Sequence, residues 1–420
     1  MKIKQKKLSF DKVKLIPKAK ERTPLKPSLL FATLIRILAI GELTKTKFTY
    51  TSENIEVLKK GPCLILMNHS SFIDLKIASK ILYPQRYNIV CTSDGLVGKN
   101  LLMRLIGCIP TKKFVTDLNL IRDLKKALAK NHVLMYPEAS YSFDGCATPL
   151  PKKLGALVKM LKVPVVTITT QGAFAYDPLY NGLQTRKVKT SAHVKCLFDS
   201  EQIEKLSVEE LSSGLDQAFT FDNFAWQQQN LVKISEPFRA DGLHRILYKC
   251  PHCLTEGSTV GKGVHLTCNA CGKTYLLDEY GYLVATDGET RFSHVPDWYN
   301  WQREQVKEEL LKGEYLLDTQ VDIGIMVDYK AIYMIGEGRL VHNNEGFTLT
   351  GAKGELNYSQ SPLSSYSLYA DYFWYEIDDV ICIGDNNRLY YCFPKQKGVV
   401  SKTRLATEEL FKLTKYQNKK

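Results

Sequence analysis

The feature that most constrains the fold is an alternation of short apolar runs and amphipathic stretches between residues 61 and 170. The apolar runs predict buried strands at residues 63–67, 88–92, 133–136 and 163–168. Between them, Asp117 is placed to cap a helix that runs to residue 130, and residues 152–162 form a second helical stretch. Strands that alternate with helices predict an α/β domain, a mixed sheet flanked by helices.

The composition fits a globular protein of more than one domain. The chain has 420 residues, of which 44% are hydrophobic and 24% charged, with a formal net charge of +13. At about 150 residues per domain, this length suggests two or three domains. The proportions exclude a mainly disordered chain, a collagen-like chain and a polytopic membrane protein. The 11 cysteines are too few for a disulfide-stapled secreted scaffold.

The positive charge is concentrated towards the amino terminus. Residues 1–60 hold 15 Lys and Arg against 5 Asp and Glu, whereas residues 274–400 hold 10 against 20. Such an asymmetry indicates a polyanionic partner, either a nucleic acid or an anionic membrane surface. A solvated basic tail is the alternative.

A basic arm at residues 1–27 precedes an apolar segment at residues 28–40. This segment is shorter than the roughly 20 residues that span a bilayer, and Arg36 interrupts it. It also lacks the small-residue cleavage pattern of a signal peptide. A short apolar helix behind a lysine-rich arm is typical of a protein that lies on a membrane. The alternative is a helix that packs on its own domain.

Two cysteine pairs predict a metal site. Cys250 and Cys253, then Cys268 and Cys271, form two Cys-x2-Cys knuckles with fourteen residues between them. This spacing suits a four-thiolate Zn²⁺ site of structural type, because four ligands complete the tetrahedron and leave no open position. Two reduced pairs or two disulfides are the alternatives. The segment 245–285 resembles a zinc ribbon.

The composition changes after the second knuckle. Frequent aromatic residues and recurring Gly-containing turns predict a mainly β domain over residues 286–420, closed by a helix at residues 401–416. Strands followed by one carboxy-terminal helix loosely resemble a pleckstrin-homology or GRAM-like barrel. That resemblance implies lipid or protein binding. The net negative charge argues against binding of headgroup phosphates and favours a protein partner, such as the α/β domain itself.

The residues from Asn68 to Asp74 follow the first predicted strand and are suited to catalysis. An imidazole at His69 and a carboxylate at Asp74 can meet at a strand-to-helix turn, where the carboxylate would orient the ring and the ring would accept a proton from a hydroxyl. Alternatively, Asn68, Ser70 or Ser71 caps a helix and the histidine is incidental.

Three further blocks follow, at residues 107–113, 136–142 and 163–166. With Asn68-His-Ser-Ser-Phe-Ile-Asp74 before them, in this order and spacing, they resemble the lysophospholipid (glycerolipid) acyltransferase family of the 1-acylglycerol-3-phosphate acyltransferase type. The first block matches the family's Asn-His-x-Ser-x-x-Asp in full. The resemblance places an acyltransferase domain at residues 28–235.

The resemblance implies a direct transfer without a covalent acyl-enzyme. His69, oriented by Asp74, would deprotonate the hydroxyl of a membrane lipid, and the oxygen would attack the thioester of acyl-CoA or acyl carrier protein. Backbone amides at the turn would hold the developing oxyanion. The block positions assigned to substrate binding are Asn68, Ser71, Gly107, Ile109, Lys113, Pro137, Glu138, Ser140 and Pro164.

Two blocks depart from the family pattern. Lys113 stands where the second block usually ends in Arg, and the third block, usually Phe-Pro-Glu-Gly-Thr-Arg-Ser, has Ala139, Ser140 and Tyr141 in place of Gly, Thr and Arg. Because that Arg is expected to hold an acceptor phosphate, its loss disfavours a small phosphomonoester acceptor. A lysophospholipid with a larger head group or an amino-lipid is the alternative. The lysines that could supply the missing cation are Lys112, Lys113, Lys152 and Lys153.

Two other functions compete with an enzyme of membrane lipids. One is a catalytically inactive member that binds lipid or serves as a scaffold, which the changes at Ala139 and Tyr141 suggest. The other is a nucleic-acid-binding zinc ribbon, but the ribbon has few basic residues, so no nucleic-acid partner is expected. The cysteines outside the knuckles suit a reducing compartment, which predicts the cytoplasmic face of the membrane and peripheral or monotopic attachment.

Overall fold

A computed structural model of the chain describes residues 3–19, 23–114 and 117–417. Residues 1, 2 and 20–22 of the predicted basic arm lie outside these ranges. The described residues form sheets of eight, four and seven strands, joined and covered by helices.

The described part of the amino-terminal arm is not a free tail. β1 (Gln5–Lys7) lies parallel to residues 332–334, a strand of the carboxy-terminal domain. α1 (Phe10–Lys14) buries Phe10 and Val13 in the core of that domain. The alternative of a solvated tail is therefore wrong for these residues. The described lysines of the arm are exposed, but its backbone completes a sheet that is otherwise built more than 300 residues later.

The α/β domain has a seven-stranded sheet in the order β2-β8-β7-β3-β6-β4-β5, parallel except where β8 meets β7. Its strands are β2 (Thr49–Glu53), β3 (Leu64–Met67), β4 (Tyr87–Thr92), β5 (Cys108–Thr111), β6 (His132–Met135), β7 (Val165–Gln171) and β8 (Ser191–Phe198). Its helices are α2 (Leu29–Lys45), α3 (Val57–Lys60), α4 (Asp74–Leu82), α5 (Asn100–Ile106), α6 (Leu118–Leu128), α7 (Leu154–Leu161), α8 (Ala173–Tyr176), α9 (Ser200–Lys205), α10 (Val208–Ala218) and α11 (Asn223–Gln229).

The predicted mixed sheet flanked by helices is confirmed. β3 and β6 are buried along their whole length, as expected of parallel strands with helices on both faces. The side chain of Asp117 caps α6 by accepting hydrogen bonds from the N–H groups of Asn119 and Leu120. One hydrophobic core lies on each face of the sheet. No helix in the described part of the chain is long and apolar enough to cross a membrane.

A small antiparallel sheet follows the α/β domain. It is formed by β9 (Thr259–Lys262), β10 (His265–Cys268), β11 (Thr274–Leu277) and β12 (Leu283–Ala285). The next element is a long helix, α12 (Val295–Lys312), in a region for which only strands are predicted. The side chains of Trp298 and Gln302 donate hydrogen bonds to the carbonyls of Lys249 and Ile246, respectively. These bonds attach the residues just before the small sheet to α12, which leads into the next domain.

The carboxy-terminal region is mainly β, as predicted. Its strands are β13 (Leu317–Met326), β14 (Ile332–Asn343), β15 (Gly346–Gly351), β16 (Leu356–Gln360), β17 (Tyr369–Trp374), β18 (Asp378–Gly384) and β19 (Leu389–Pro394). They pair antiparallel in the order β16-β15-β14-β13-β19-β18-β17, and α13 (Val399–Gln417) closes the domain. The pleckstrin-homology or GRAM-like assignment stays a prediction.

One predicted strand of this domain is too long. The apolar and aromatic run at residues 373–377 predicts a strand, but β17 ends at Trp374. Phe373, Tyr375 and Glu376 have positive φ angles of 51°, 48° and 62°, so the chain turns there instead of continuing extended.

Candidate active site

Loops that follow five strands meet at one edge of the seven-stranded sheet. Because β3, β4, β5, β6 and β7 run parallel, their carboxyl ends lie at the same edge, where open α/β sheets bind their ligands. The residues that follow these strands are His69, Asp94, Lys113, Glu138 and Asp177. The topology therefore brings together the first three sequence blocks.

His69 is held by a buried carboxylate at the start of α4. Its Nδ1 lies 3.1 Å from Oδ2 of Asp74, whose side chain is 1% exposed. The same oxygen accepts the backbone N–H groups of Ser70 at 2.9 Å and Ser71 at 3.1 Å. Because Nδ1 faces the carboxylate, Nε2 is the ring nitrogen left to exchange a proton.

Burial sets the protonation of this pair. It holds the pKa of His69 well below its usual range, and the nearby Lys113 ammonium lowers it further. Burial also raises the pKa of Asp74 to about 8, although the hydrogen bonds from the N–H groups of Ser71 and Ser70 lower it. The imidazole is consequently neutral at neutral pH, the state that can accept a proton.

Two tyrosine rings enclose His69. Its ring centroid lies 4.1 Å from that of Tyr136 and 3.9 Å from that of Tyr141, and Phe72 stacks on the outer side of Tyr141 at 5.1 Å. Only 17% of the His69 side chain is exposed. Tyr141, where the family pattern has Arg, is therefore one of the two rings that cover His69.

Glu138 joins the first and third blocks. Its carboxylate accepts the backbone N–H of His69 at 3.0 Å, and its other oxygen accepts the N–H and the hydroxyl of Thr148 at 3.1 Å and 2.9 Å. Burial raises the pKa of Glu138 to about 7. These contacts give it a positioning role beside His69, while its predicted role in acceptor binding stays a prediction.

The turn of the third block is held by the carboxy-terminal helix. Ala139, where the family pattern has Gly, has a φ of 57°, a conformation that costs an L-residue roughly 1–2 kcal/mol. The guanidinium of Arg404 on α13 donates hydrogen bonds to Oγ of Ser140 at 3.0 Å and to the carbonyl of Tyr141 at 3.3 Å. Sequence reasoning missed Arg404, because no local pattern links it to a turn more than 260 residues earlier.

The carboxy-terminal domain also reaches the second block. Nζ of Lys113 lies 4.3 Å from the ring centroid of Tyr369 on β17. Burial lowers the pKa of Lys113, while the carboxylates of Asp371 and Asp94 raise it. Asp94 in turn accepts hydrogen bonds from the Tyr369 hydroxyl and from Nε1 of Trp374 at 3.1 Å. The site is therefore walled by residues that come from two domains.

Comparison with known proteins decides the family of the α/β domain. Residues 48–171 match the family model described as Acyltransferase. These residues form an acyltransferase domain. A solved structure, that of the 1-acyl-sn-glycerophosphate (LPA) acyltransferase PlsC from Thermotoga maritima, matches at 14% identity over 45% of this chain and 78% of that chain, with a TM-score of 0.34. No curated protein matches the sequence. The prediction of an acyltransferase is confirmed at the level of this domain.

Three other predicted binding residues of the acyltransferase domain have structural contacts. Asn68 is buried, and its Oδ1 accepts the N–H of Thr170 at 2.7 Å, which ties the end of β3 to the end of β7. The Ser71 hydroxyl bonds to the Asp177 carboxylate. Gly107 ends α5 with a φ of 100°, and a side chain there would meet the ring of a proline.

The remaining predicted binding residues of the acyltransferase domain are not all at the site. Pro137 is buried next to Glu138, at the edge that carries His69. Ile109 is fully buried in the core beneath the sheet, and Pro164 precedes β7, at the opposite end of the strand. The structure therefore does not bring Ile109 and Pro164 together with His69, and their predicted contact with substrate stays a prediction.

The four predicted metal ligands lie together outside the acyltransferase domain. The sulfur atoms of Cys250, Cys253, Cys268 and Cys271 all lie within 4.8 Å of one another. The separations of 3.8 Å between Cys250 and Cys271 and 3.7 Å between Cys253 and Cys268 equal the edge of a tetrahedron with metal–sulfur bonds of about 2.3 Å. They exceed the about 2.05 Å of a disulfide bond. The cluster therefore fits a tetrahedral metal ion.

Proposed function

We propose that this protein is a membrane-associated O-acyltransferase. It moves a fatty acyl group from acyl-CoA or acyl carrier protein to the free hydroxyl of a lysophospholipid or a related glycerolipid. The observation that carries this proposal is the pairing of His69 with the buried Asp74 inside a domain that matches the acyltransferase model. A neutral imidazole oriented by a carboxylate is a suitable general base for a hydroxyl.

The transfer is a single displacement. Nε2 of His69 takes the proton of the acceptor hydroxyl while the oxygen forms a bond to the thioester carbonyl carbon. The carbon–sulfur bond then breaks, and the leaving thiolate takes the proton back from the imidazolium. Asp74 holds the tautomer and stabilises the imidazolium, so no covalent acyl-enzyme is needed. A base of this kind contributes about 10²–10⁴-fold to the rate.

An apolar face of α2 supports attachment to a membrane surface. Leu30 and Leu38 are 75% and 68% exposed, and they are separated by about two helical turns. The other exposed apolar residues of α2 and α5 are Leu29, Leu34, Ile37, Ile40, Leu101 and Leu102. Such a surface suits the interface of a bilayer, where the lipid acceptor is found. Reduced cysteines favour the cytoplasmic face.

The metal of the cysteine cluster is proposed to be Zn²⁺ in a structural role. Four thiolates are the ligands of closed zinc sites, and they leave no position for a substrate. Cys250 of the cluster directly follows Lys249, whose carbonyl accepts a hydrogen bond from the Trp298 side chain of α12. The ion would therefore stabilise the connection between the acyltransferase domain and the carboxy-terminal domain.

The proposal is tested by acyl transfer with the full chain. Labelled acyl-CoA and acyl carrier protein are offered with a panel of lysolipids and non-phosphate acceptors. We expect product from the wild type and a loss of about 10²–10⁴-fold in His69→Ala. The matched control is His193→Ala, because His193 is exposed on β8 of the same sheet. Equal loss in both variants, or none in His69→Ala, would contradict the mechanism.

An inactive lipid-binding protein is the second candidate function. The ring of Tyr141 over His69, in the place of the family's Arg, is the observation in its favour. It predicts a folded, metal-loaded chain that binds lysolipid vesicles but transfers no acyl group to any acceptor of the panel. The intact His69–Asp74 hydrogen bond favours the enzyme.

A further inference from the structure

The interface between the two domains offers an unusual pair of charges to an acceptor. Lys113 is half-buried and, in the part of the chain that the structure describes, no carboxylate forms an ion pair with its ammonium. Asp371 is half-buried too, and within the same described ranges its carboxylate accepts only the N–H of Tyr372. The Lys113 ammonium and the Asp371 carboxylate thus interact electrostatically at one interface without forming an ion pair.

The geometry of β17 directs Asp371 towards the acyltransferase domain. Tyr369, Ala370 and Asp371 pair in regular register with β18, so the side chains of Tyr369 and Asp371 share a face. Tyr369 on that face contacts the Lys113 ammonium and bonds to Asp94, whereas Ala370 on the other face packs in the core of its own domain. Asp371 therefore faces the second block.

Asp371 also lies within electrostatic range of Tyr141, whose ring covers the histidine. Its carboxylate interacts electrostatically with both Lys113 and Tyr141, while Lys113 interacts with His69. Beside Lys113 and Tyr369 lies a cavity of about 20 Å³, which is room for about one water molecule. Because this cavity is too small for a head group, binding of one beside Lys113 requires the surrounding side chains or strand β17 to move.

Arg404, the cation that reaches the turn of the third block, is not available to an acceptor phosphate. Arg404 is 3% exposed, and besides Ser140 and Tyr141 it binds the Glu408 carboxylate at 3.3 Å. Glu408 also binds Arg303 at 2.7 Å. The guanidinium of Arg404 thus positions this turn, and the Glu408 carboxylate balances its charge. It does not take over the role of the family's Arg, at whose position Tyr141 stands.

We propose that the acceptor is a lysolipid with a zwitterionic, amine-bearing head group, and that Asp371 selects it. This inference rests on the proposed acyl transfer. The phosphodiester of such a head group carries one negative charge and faces Lys113, while its ammonium faces Asp371. A phosphomonoester carries up to two negative charges, has no cation, and meets the same carboxylate as a repulsive group.

The test compares acceptors whose head groups carry different charges. The full wild-type chain is given acyl donor and lysophosphatidylethanolamine, its N-acetylated form, or lysophosphatidate in the same detergent. We expect kcat/KM to be at least about tenfold higher for the free amine than for either of the others. Asp371→Asn should reduce this preference to about threefold or less. The matched control is Asp378→Asn on the neighbouring strand β18, because Asp378 pairs with the exposed Lys397 away from the site.

The outcomes separate this inference from the proposed function. Transfer that His69→Ala abolishes, but with equal use of the three acceptors, would overturn the head-group selection and leave the acyltransferase. A wild-type preference that Asp371→Asn leaves intact would overturn the role of Asp371. If that variant does not fold, the wild-type ratios still decide the acceptor class. Absence of transfer to every acceptor would overturn both proposals.

Discussion

At His69, the burial that excludes water also restricts the pH range in which the site can work. Asp74 has to be ionised to orient the ring and to stabilise the imidazolium, yet its burial raises its pKa to about 8, far above the usual value near 4. The ionised fraction of Asp74 therefore increases as pH rises through about 8. His69 remains neutral over the same range, because burial lowers its pKa.

We accordingly expect kcat/KM for acyl transfer to increase between about pH 6 and pH 9. The measurement is a pH–rate profile with the spontaneous hydrolysis of the thioester subtracted. Asp74→Asn should be much slower at every pH and should lose the dependence, since its amide does not titrate. A wild-type profile that is flat or that falls over this range would show that ionisation of Asp74 does not limit the reaction.

The sequence could predict the residues of this site that lie close together in the chain, but not the residues of the carboxy-terminal domain that enclose it. His69 and Asp74 are five positions apart, so a strand-to-helix turn is enough to bring them together. The docking of a domain more than 200 residues away brings three further residues to the site: Tyr369, Asp371 and Arg404. The pattern of side chains along the sequence carries no information about that docking. The sequence shows that Ala139 and Tyr141 depart from the family pattern, but it does not show that the ring of Tyr141 lies against His69.

At the scale of elements, periodicity decided which predictions succeeded. The four predicted strands of the acyltransferase domain have strong apolar patterns and α6 has a clear cap, and the structure confirms them as β3, β4, β6, β7 and α6. β2, β5 and β8 were not predicted. α12 was missed because its aromatic residues and its turn-rich surroundings favour strands, although Pro296 at its start is a typical helix-initiating residue. Spacing alone was sufficient for the cysteine cluster, because metal geometry limits where four thiolates can be.

The small sheet is expected to depend on its metal ion. Purified protein should contain about one Zn²⁺ per chain, and Cys253→Ser should lose the ion and lower the unfolding temperature, because metal binding contributes folding free energy to such units. Metal content is measured by mass spectrometry and unfolding by calorimetry. Cys196→Ser, a change at a half-buried cysteine outside the cluster, should keep both values. A metal-free protein whose unfolding is insensitive to chelator would contradict the prediction.

At the scale of the whole molecule, the amino-terminal residues connect the two large domains. β1 and α1 belong to the carboxy-terminal domain, whereas α2 packs on the acyltransferase domain with its apolar face exposed. Between them, the carbonyl of Leu25 accepts a hydrogen bond from the side chain of Asn88 at 2.9 Å. The predicted apolar helix is confirmed, and its contact with a membrane stays a prediction.

Vesicle binding tests that contact. We expect the double variant Leu30→Glu and Leu38→Glu to bind anionic vesicles at least about tenfold more weakly, since burial of each leucine contributes about 1.5–3 kcal/mol. Co-sedimentation measures the binding. The control is Leu311→Glu, because Leu311 is 64% exposed on α12, outside the proposed membrane face. Equal binding of the double variant and the wild type would place the membrane contact elsewhere.

The pairing of β1 with β14 has a consequence for how the chain is made. Gln5 leaves the ribosome first, but its partner Ile332 is synthesised more than 300 residues later. The acyltransferase domain is translated in between, and domains tend to fold as they emerge. For that interval the nascent chain holds His69 and Asp74 but not Tyr369, Asp371 or Arg404. The catalytic pair is thus formed with its tyrosine neighbours in place, and the residues of the carboxy-terminal domain that enclose the site are added only later.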